Sequence, residues 1–217
     1  MDEPLSNLDA KLRVEMRSAI REVQKQVGIT TAYVTHDQEE ALSISDRIAV
    51  MKKGVIQQTA SPHTIYTRPY NVFVSTFIGH SNLFHATVRA DGSGKAVVFN
   101  DGYVMPMDNL SDEVTDGMQV IVSVRPEEFS IQPQGQGLQC RIKNKVFLGK
   151  YNTYFLDFEE KMLVPNQPSI EFSQDLGHAE RLLDVNETVT LKPNAAKVNV
   201  FTADGERNLL KGVVLHE

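Results

Sequence analysis

The sequence is nearly free of cysteine. Its 217 residues hold one, Cys140. A single thiol cannot close an intrachain disulfide, and no metal-ligand spacing surrounds it. Clustered positive charge is also scarce. The formal net charge is -6, and the longest basic cluster is Lys52-Lys53. Affinity for polyanions comes from grouped lysine and arginine, so a general nucleic-acid binder is not expected. Long apolar runs are missing too. None approaches the ~20 residues that a membrane-spanning helix needs. These absences point to a cytosolic chain in a reducing compartment.

What is present is an ordinary globular composition, 41% apolar and 23% charged. That excludes a largely disordered chain. The length suits one large domain or two small ones.

The first third reads as α/β. Leu8, Leu12, Met16, Ile20, Val23 and Val27 recur at spacings of three and four, which predicts a helix over residues 6–27 with one apolar stripe. Ser6 is placed to cap it, Asp9 stands three residues on, and Gly28 is placed to end it. The β-branched run "ITTAYVTH" at 29–36 predicts a strand. "DQEEALSIS" predicts a short helix. "DRIAVMKKGVIQQTA" predicts two strands joined at Lys52-Lys53-Gly54. "SPHTIYTRP" predicts a helix capped by Ser61 with Pro62 first, and "NVFVSTFIG" another that ends at Gly79.

From about residue 80 helices nearly vanish. Short β runs alternate with Gly, Asp and Asn turns: "LFHATVRA", "KAVVFN", "YVMPM", "QVIVSVRP", "FSIQP", "LQCRIKNKVFLG", "YNTYFLDF", "KMLVP", "ETVTLKP", "KVNVF" and "GVVLHE". This predicts one or two small antiparallel barrels. "FSQDLGHAER" reads as a loop with solvated charge.

Chemistry concentrates at the front. In Asp2-Glu3, one carboxylate can hold a hard cation such as Mg²⁺ and the other can orient a water for attack on phosphorus. His36 closes the next predicted strand and can donate to a phosphate oxygen. Taken singly, such a pair is usually a solvated surface pair and such a histidine usually structural. His63, His80, His85, His178 and His216 share no metal spacing. Arg125-Pro126-Glu127 is expected to shape a strand end, and Asp46-Arg47 to be structural.

Together, "DEPLSNLDAKLR" and "TAYVTHDQEEALSISDRIAVMKKGVIQQTASPHTIYTRPYNVFVSTFIG" resemble the ATP-binding subunits of ABC transporters, bacterial importers above all. The resemblance implies that Asp2 closes the Walker B strand and serves Mg²⁺. It implies that Glu3 is the catalytic carboxylate. "SNLD" resembles the D-loop, which would carry Asp9 across an ATP-sandwich dimer. "THDQEEA" resembles the switch loop, which would make His36 the γ-phosphate sensor. "FIGHSNLF", "VSVRPEEFSI" and "TVTLKPNAAKVNVF" resemble the TOBE-type regulatory region of the same subunits, loosest at 135–185. The implied fold is an α/β fragment of an ABC ATPase domain, residues 1–79, followed by an all-β OB-like (TOBE-type) barrel region, residues 80–217.

The phosphate-cradling loop of that family is not in the sequence. "GSGKA" and "LGKY" lack both the upstream glycine and the Ser/Thr after lysine. "LSGGQ" and the Gln loop are also missing. The expectation is the C-terminal portion of a longer subunit that uses ATP and Mg²⁺, with no stable nucleotide binding or turnover by this chain alone. The resemblance implies as partners a second ATPase copy, two permeases and, indirectly, an extracytoplasmic binding protein. It places the subunit in the cytoplasm, peripheral to the membrane. Its wording leans toward polyamine, ferric-iron or phosphonate importers. With the rest of its sheet missing, the stripe on residues 6–27 is expected to drive self-association through residues 1–50. The alternative is a stand-alone OB-like module for small-ligand sensing or docking.

Overall fold

The structure is a computed structural model that describes all residues except Ser93 and Pro168. Two compact units divide the chain. One comprises Met1–Tyr70 with Val214–Glu217, the other Asn71–Val213. None of the described helices is long and apolar enough to cross a membrane.

The first unit holds α1 (Ala10–Val27), α2 (Gln38–Ile44), the hairpin β1 (Ile48–Lys52) and β2 (Val55–Ala60), and α3 (Pro62–Thr67). The α1 helix begins later than its periodicity predicts. Ser6 does not cap it. The Ser6 hydroxyl donates to Glu3 O at 3.0 Å, and turns occupy the residues before Asp9. Asp9 is the cap, its carboxylate accepting from Leu12 N at 3.0 Å. Gly28 ends the helix as expected, at φ 70°, donating to Gln24 O. No residue of α1 is buried. Leu12, Val23 and Val27 are exposed, and Met16 and Ile20 half-buried.

The strand predicted over 29–36 shrinks to one parallel bridge, Asp2 to Val34. Its partner is only the short segment Met1–Glu3. Val34 N donates to Met1 O and Glu3 N to Val34 O, each at 2.9 Å. The β1–β2 hairpin turns on Lys53 and Gly54, both at positive φ, as a two-residue connection matching strand twist requires. Ser61 caps α3 with Pro62 at its start. The expected strand "GVVLHE" forms only a bridge, His216 to Thr59. There Thr59 N donates to Leu215 O and Glu217 N to Thr59 O. The Glu217 carboxylate accepts from Ser61 N at 3.0 Å and Thr64 Oγ1 at 3.3 Å.

The second unit opens with α4 (Val72–Phe77) and continues, among the described residues, through the strands β3 (Asn82–Asp91), β4 (Gly94–Phe99), β5 (Val104–Pro106), β6 (Gln119–Val124), β7 (Phe129–Gln132), β8 (Leu138–Phe147), β9 (Tyr151–Asp157), β10 (Ile170–Asp175), β11 (Thr188–Pro193) and β12 (Asn199–Thr202). They form two antiparallel sheets, in the orders β12-β6-β3-β4-β5 and β10-β9-β8-β11-β7. One apolar core takes side chains from both sheets, among them Phe84, Phe99, Val122, Leu138, Tyr154 and Leu191. Each such side chain contributes about 1.5–3 kcal/mol on burial. This is the all-β, OB-like region expected after a small α/β part.

Two elements depart from the sequence pattern. "IEFSQD" is strand β10, although its second half reads as charged loop. Ile170 and Phe172 are buried, and so is Gln174, whose Oε1 accepts from the Tyr154 hydroxyl at 3.0 Å. A buried glutamine hides the alternation. "KMLVP" is no strand. Its first residues lie in a 3₁₀ turn, Glu160–Met162, that buries Met162. At Gly137, just before β8, an added Cβ would lie 2.5 Å from Leu191 O, so the chain can pass β11 there only without a side chain.

Packing places α4 with the β-rich unit. Ser75 Oγ lies 2.9 Å from Ser123 Oγ, and Val72 N donates to Gly205 O at 2.8 Å. Arg125 donates to Ser75 O and His80 O, at 2.9 and 2.8 Å. It therefore fixes main chain at the end of β6, in keeping with its expected strand-end role. The division at 79/80 follows sequence resemblance, whereas that at Tyr70 follows packing.

Candidate functional site

The site lies within the first unit and is built on the bridge between residues 1–3 and 32–34. The terminal amine donates to Ala32 O at 2.8 Å, extending the pairing. Glu3 takes φ 41°, unusual for a residue with a side chain, where the chain leaves the bridge for its turns. Two residues beyond Val34 on the other side stands His36. Its Nδ1 lies 2.9 Å from Glu3 Oε1. The hydrogen bond to Glu3, then the Glu3 charge, raise the imidazole above its ordinary value. Both side chains remain open, 74% exposed for His36 and 45% for Glu3.

Of the four residues singled out by sequence, the structure joins Glu3 to His36. Asp2 is next to Glu3 in the bridge and exposed. Asp9 is also exposed, and its carboxylate is occupied with the α1 cap. Among the described residues, no group of three or more His, Cys, Asp or Glu side chains is arranged to hold a metal. Asp2 carries a hard carboxylate oxygen of the kind Mg²⁺ takes, and Mg²⁺ commonly takes only one or two carboxylates beside substrate phosphates.

Sequence reasoning missed a row of arginines. Arg13, Arg17 and Arg21 recur every fourth residue, so they share one side of α1. Arg13 Nη1 and Arg17 Nη2 donate to Asp37 Oδ2 at 3.1 and 3.2 Å. Arg17 Nη1 donates to Glu39 at 3.1 Å. Arg21 donates to Ile44 O at 2.6 Å and to Asp46 at 2.5 Å. The helix thus meets α2 through charge, beside its uncovered apolar stripe. The spacing in "RVEMRSAIR" was the available signal, but its acidic partners lie twenty or more residues on.

Asp37 follows His36 and caps α2, its Oδ1 accepting from Glu40 N at 3.1 Å. Burial pushes the Asp37 carboxyl up, but the Glu40 amide, Arg17 and Arg13 outweigh it and hold it below its ordinary value. Glu40 is buried and accepts from Tyr33 and Thr35 at 3.2 and 2.8 Å. Burial and the Glu40 carboxylate push the Tyr33 phenol up to about 12. An open cleft of about 470 Å³ is lined here by Arg13, Arg17, His36, Asp37 and Glu39, among others.

A TOBE domain model matches residues 122–201. The Fe(3+) ions import ATP-binding protein FbpC of Fusobacterium nucleatum is 45% identical over 217 residues, covering 98% of this chain and 55% of the relative. The chain corresponds to the C-terminal portion of an ABC-importer ATP-binding subunit. The spermidine/putrescine import ATP-binding protein PotA of Frankia alni is 45% identical over 168 residues, 71% of this chain and 36% of that one. The chain therefore spans about half the length, or less, of these importer subunits. Among solved structures, the cytoplasmic molybdate-binding protein ModG aligns with TM-score 0.44 and 14% identity, over 56% of this chain and 95% of that one.

Proposed function

We propose that the whole subunit hydrolyses ATP to drive solute import, and that this chain supplies the hydrolytic carboxylate and its sensor. Glu3 orients the attacking water, and His36 donates to the terminal phosphate. Asp2 would hold Mg²⁺, which supplies neutralisation of phosphate charge. Asp9, beyond its cap, faces a second copy of the subunit. The observation that carries this reading is the contact between Glu3 and His36, 2.9 Å at the end of the bridge. It sets a carboxylate beside an imidazole where both stay open to a ligand, as general-base and electrostatic roles require.

Residues 1–79 form the ATPase portion, and residues 80–217 have a regulatory or dimerisation role. The solute is ferric iron or a polyamine, the classes named for the relatives. Permeases, a second ATPase copy and, indirectly, an extracytoplasmic binding protein are the partners, and the subunit sits at the inner membrane face. The sequence holds no glycine-rich loop ending in Gly-Lys-Ser/Thr to cradle phosphates. By itself the 217-residue chain hydrolyses no ATP above background. Phosphate release by the purified chain tests this, and robust turnover refutes it. In a fusion that adds the stretch of the F. nucleatum relative left uncovered by the match, turnover is expected, and Glu3→Gln abolishes it while nucleotide still binds. Wild-type turnover by that variant removes Glu3 from the chemistry.

A further inference from the structure

Arg13 makes two contacts that join separate parts of the site. Its Nη1 donates to Asp37 Oδ2 at 3.1 Å. Its Nη2 donates to Leu8 O at 3.2 Å. Asp37 is bonded to His36 along the chain. Leu8 closes the turns that follow Glu3, through Ser6 N to Glu3 O and Leu8 N to Leu5 O, with Leu5 buried beneath. One guanidinium therefore holds the segment on either side of the Glu3–His36 contact.

We propose that Arg13 is a positioning residue that ties the 5–9 loop to the His36 segment and so sets the contact between Glu3 and His36. This rests on the reading of Glu3 and His36 given above. The planar fork of arginine offers parallel donors that can serve two acceptors at once, and a lysine ammonium on its flexible stem cannot reproduce that geometry. The neighbouring Arg17 also takes Asp37 Oδ2, but its other amine goes to Glu39, so it braces α2 without touching the loop. The Arg13–Asp37 ion pair is part-buried, with side chains 31% and 21% exposed, and Arg13 Nε also lies 3.8 Å from the buried Glu40 carboxylate. Its consequence is geometric. A displacement of the "SNLD" loop reaches Asp37 through one side chain, and His36 is the next residue.

The test uses the sign of an effect on His36. Glu3, Asp37 and Glu40 act on its imidazole, and Arg13 and Arg17 line the same cleft. Loss of a nearby cation raises a histidine's titration midpoint, whereas loss of the Glu3 contact lowers it. The His36 midpoint is followed by NMR in the 217-residue chain, its resonance assigned from His36→Asn. Glu3→Gln is expected to lower the midpoint. Arg13→Met is expected to lower it comparably, and Arg17→Met to leave it in place or raise it.

If Glu3→Gln lowers the midpoint and Arg13→Met leaves or raises it, Arg13 acts by charge alone and the proposal is overturned, with the functional reading intact. If Glu3→Gln changes nothing, the Glu3–His36 contact itself fails, and the functional reading with it. Thermal unfolding confirms that each variant is folded. Should Arg13→Met not fold, Arg13→Lys, which keeps the charge, replaces it: a lowered midpoint supports the fork, and an unchanged one overturns it.

Discussion

His36 Nδ1 and Glu3 Oε1 stand 2.9 Å apart, brought together by a parallel bridge of a single residue pair. The bridge aligns two chain segments that are otherwise exposed. Both side chains are open to solvent, and the contact is measurable in this chain without nucleotide.

Glu3 holds His36 above its ordinary value of about 6.5. A raised folded-state value means the charged contact is complete below that ordinary value and fades as pH rises through the raised one. His36 is expected to titrate later in wild type than in Glu3→Gln. Coincident titration of His36 in wild type and in Glu3→Gln contradicts the contact.

Asp9 caps α1, so Asp9→Ala is expected to cost about 1 kcal/mol of helix stability, and Asp9→Asn much less. Circular dichroism and hydrogen exchange over α1 separate the two. If Asp9→Ala leaves exchange across the first turns unchanged, the cap contributes nothing.

Gly137→Ala puts a methyl group 2.5 Å from the Leu191 carbonyl oxygen. Forcing the two strands apart is expected to cost roughly 1–3 kcal/mol in the β-rich unit. The unfolding midpoint in urea should fall. Gly92→Ala, where the added carbon meets nothing within 4 Å, is the control. Equal midpoints for the two variants contradict the close approach.

The stripe on α1 predicts self-association. Leu12, Val23 and Val27 are 39%, 57% and 61% exposed, on one helix that buries no residue. Sedimentation should show larger species as concentration rises, and Leu12→Ser with Val23→Ser should reduce them. A monomer at every concentration rules this out.

Local chemistry was legible in the sequence wherever one residue type has one physical reason to be there. Gly28 ended its helix, Lys53-Gly54 turned its hairpin, and Ser61 with Pro62 started α3. Where two residues competed for one role, the pattern misled. Ser6 and Asp9 are both good caps, and Leu8 extended the periodicity past the true start. Strand β10 was hidden because Gln174 is buried on the apolar side of the alternation. The segment 29–36 has strand composition but one short neighbour to pair with. The residues of the site were visible as a family resemblance, without distances. The arginine row went unread because its partners are remote in sequence, and nothing local reveals that α1 turns its cations rather than its apolar stripe toward α2.

The pairing of Thr59 with residues 215 and 217 also has a consequence for the order of events during synthesis. Helix α3 receives its carboxylate from Glu217, so the first unit cannot finish its own hydrogen bonding when Tyr70 leaves the ribosome. It must wait, one bridge short, while the whole β-rich unit is made.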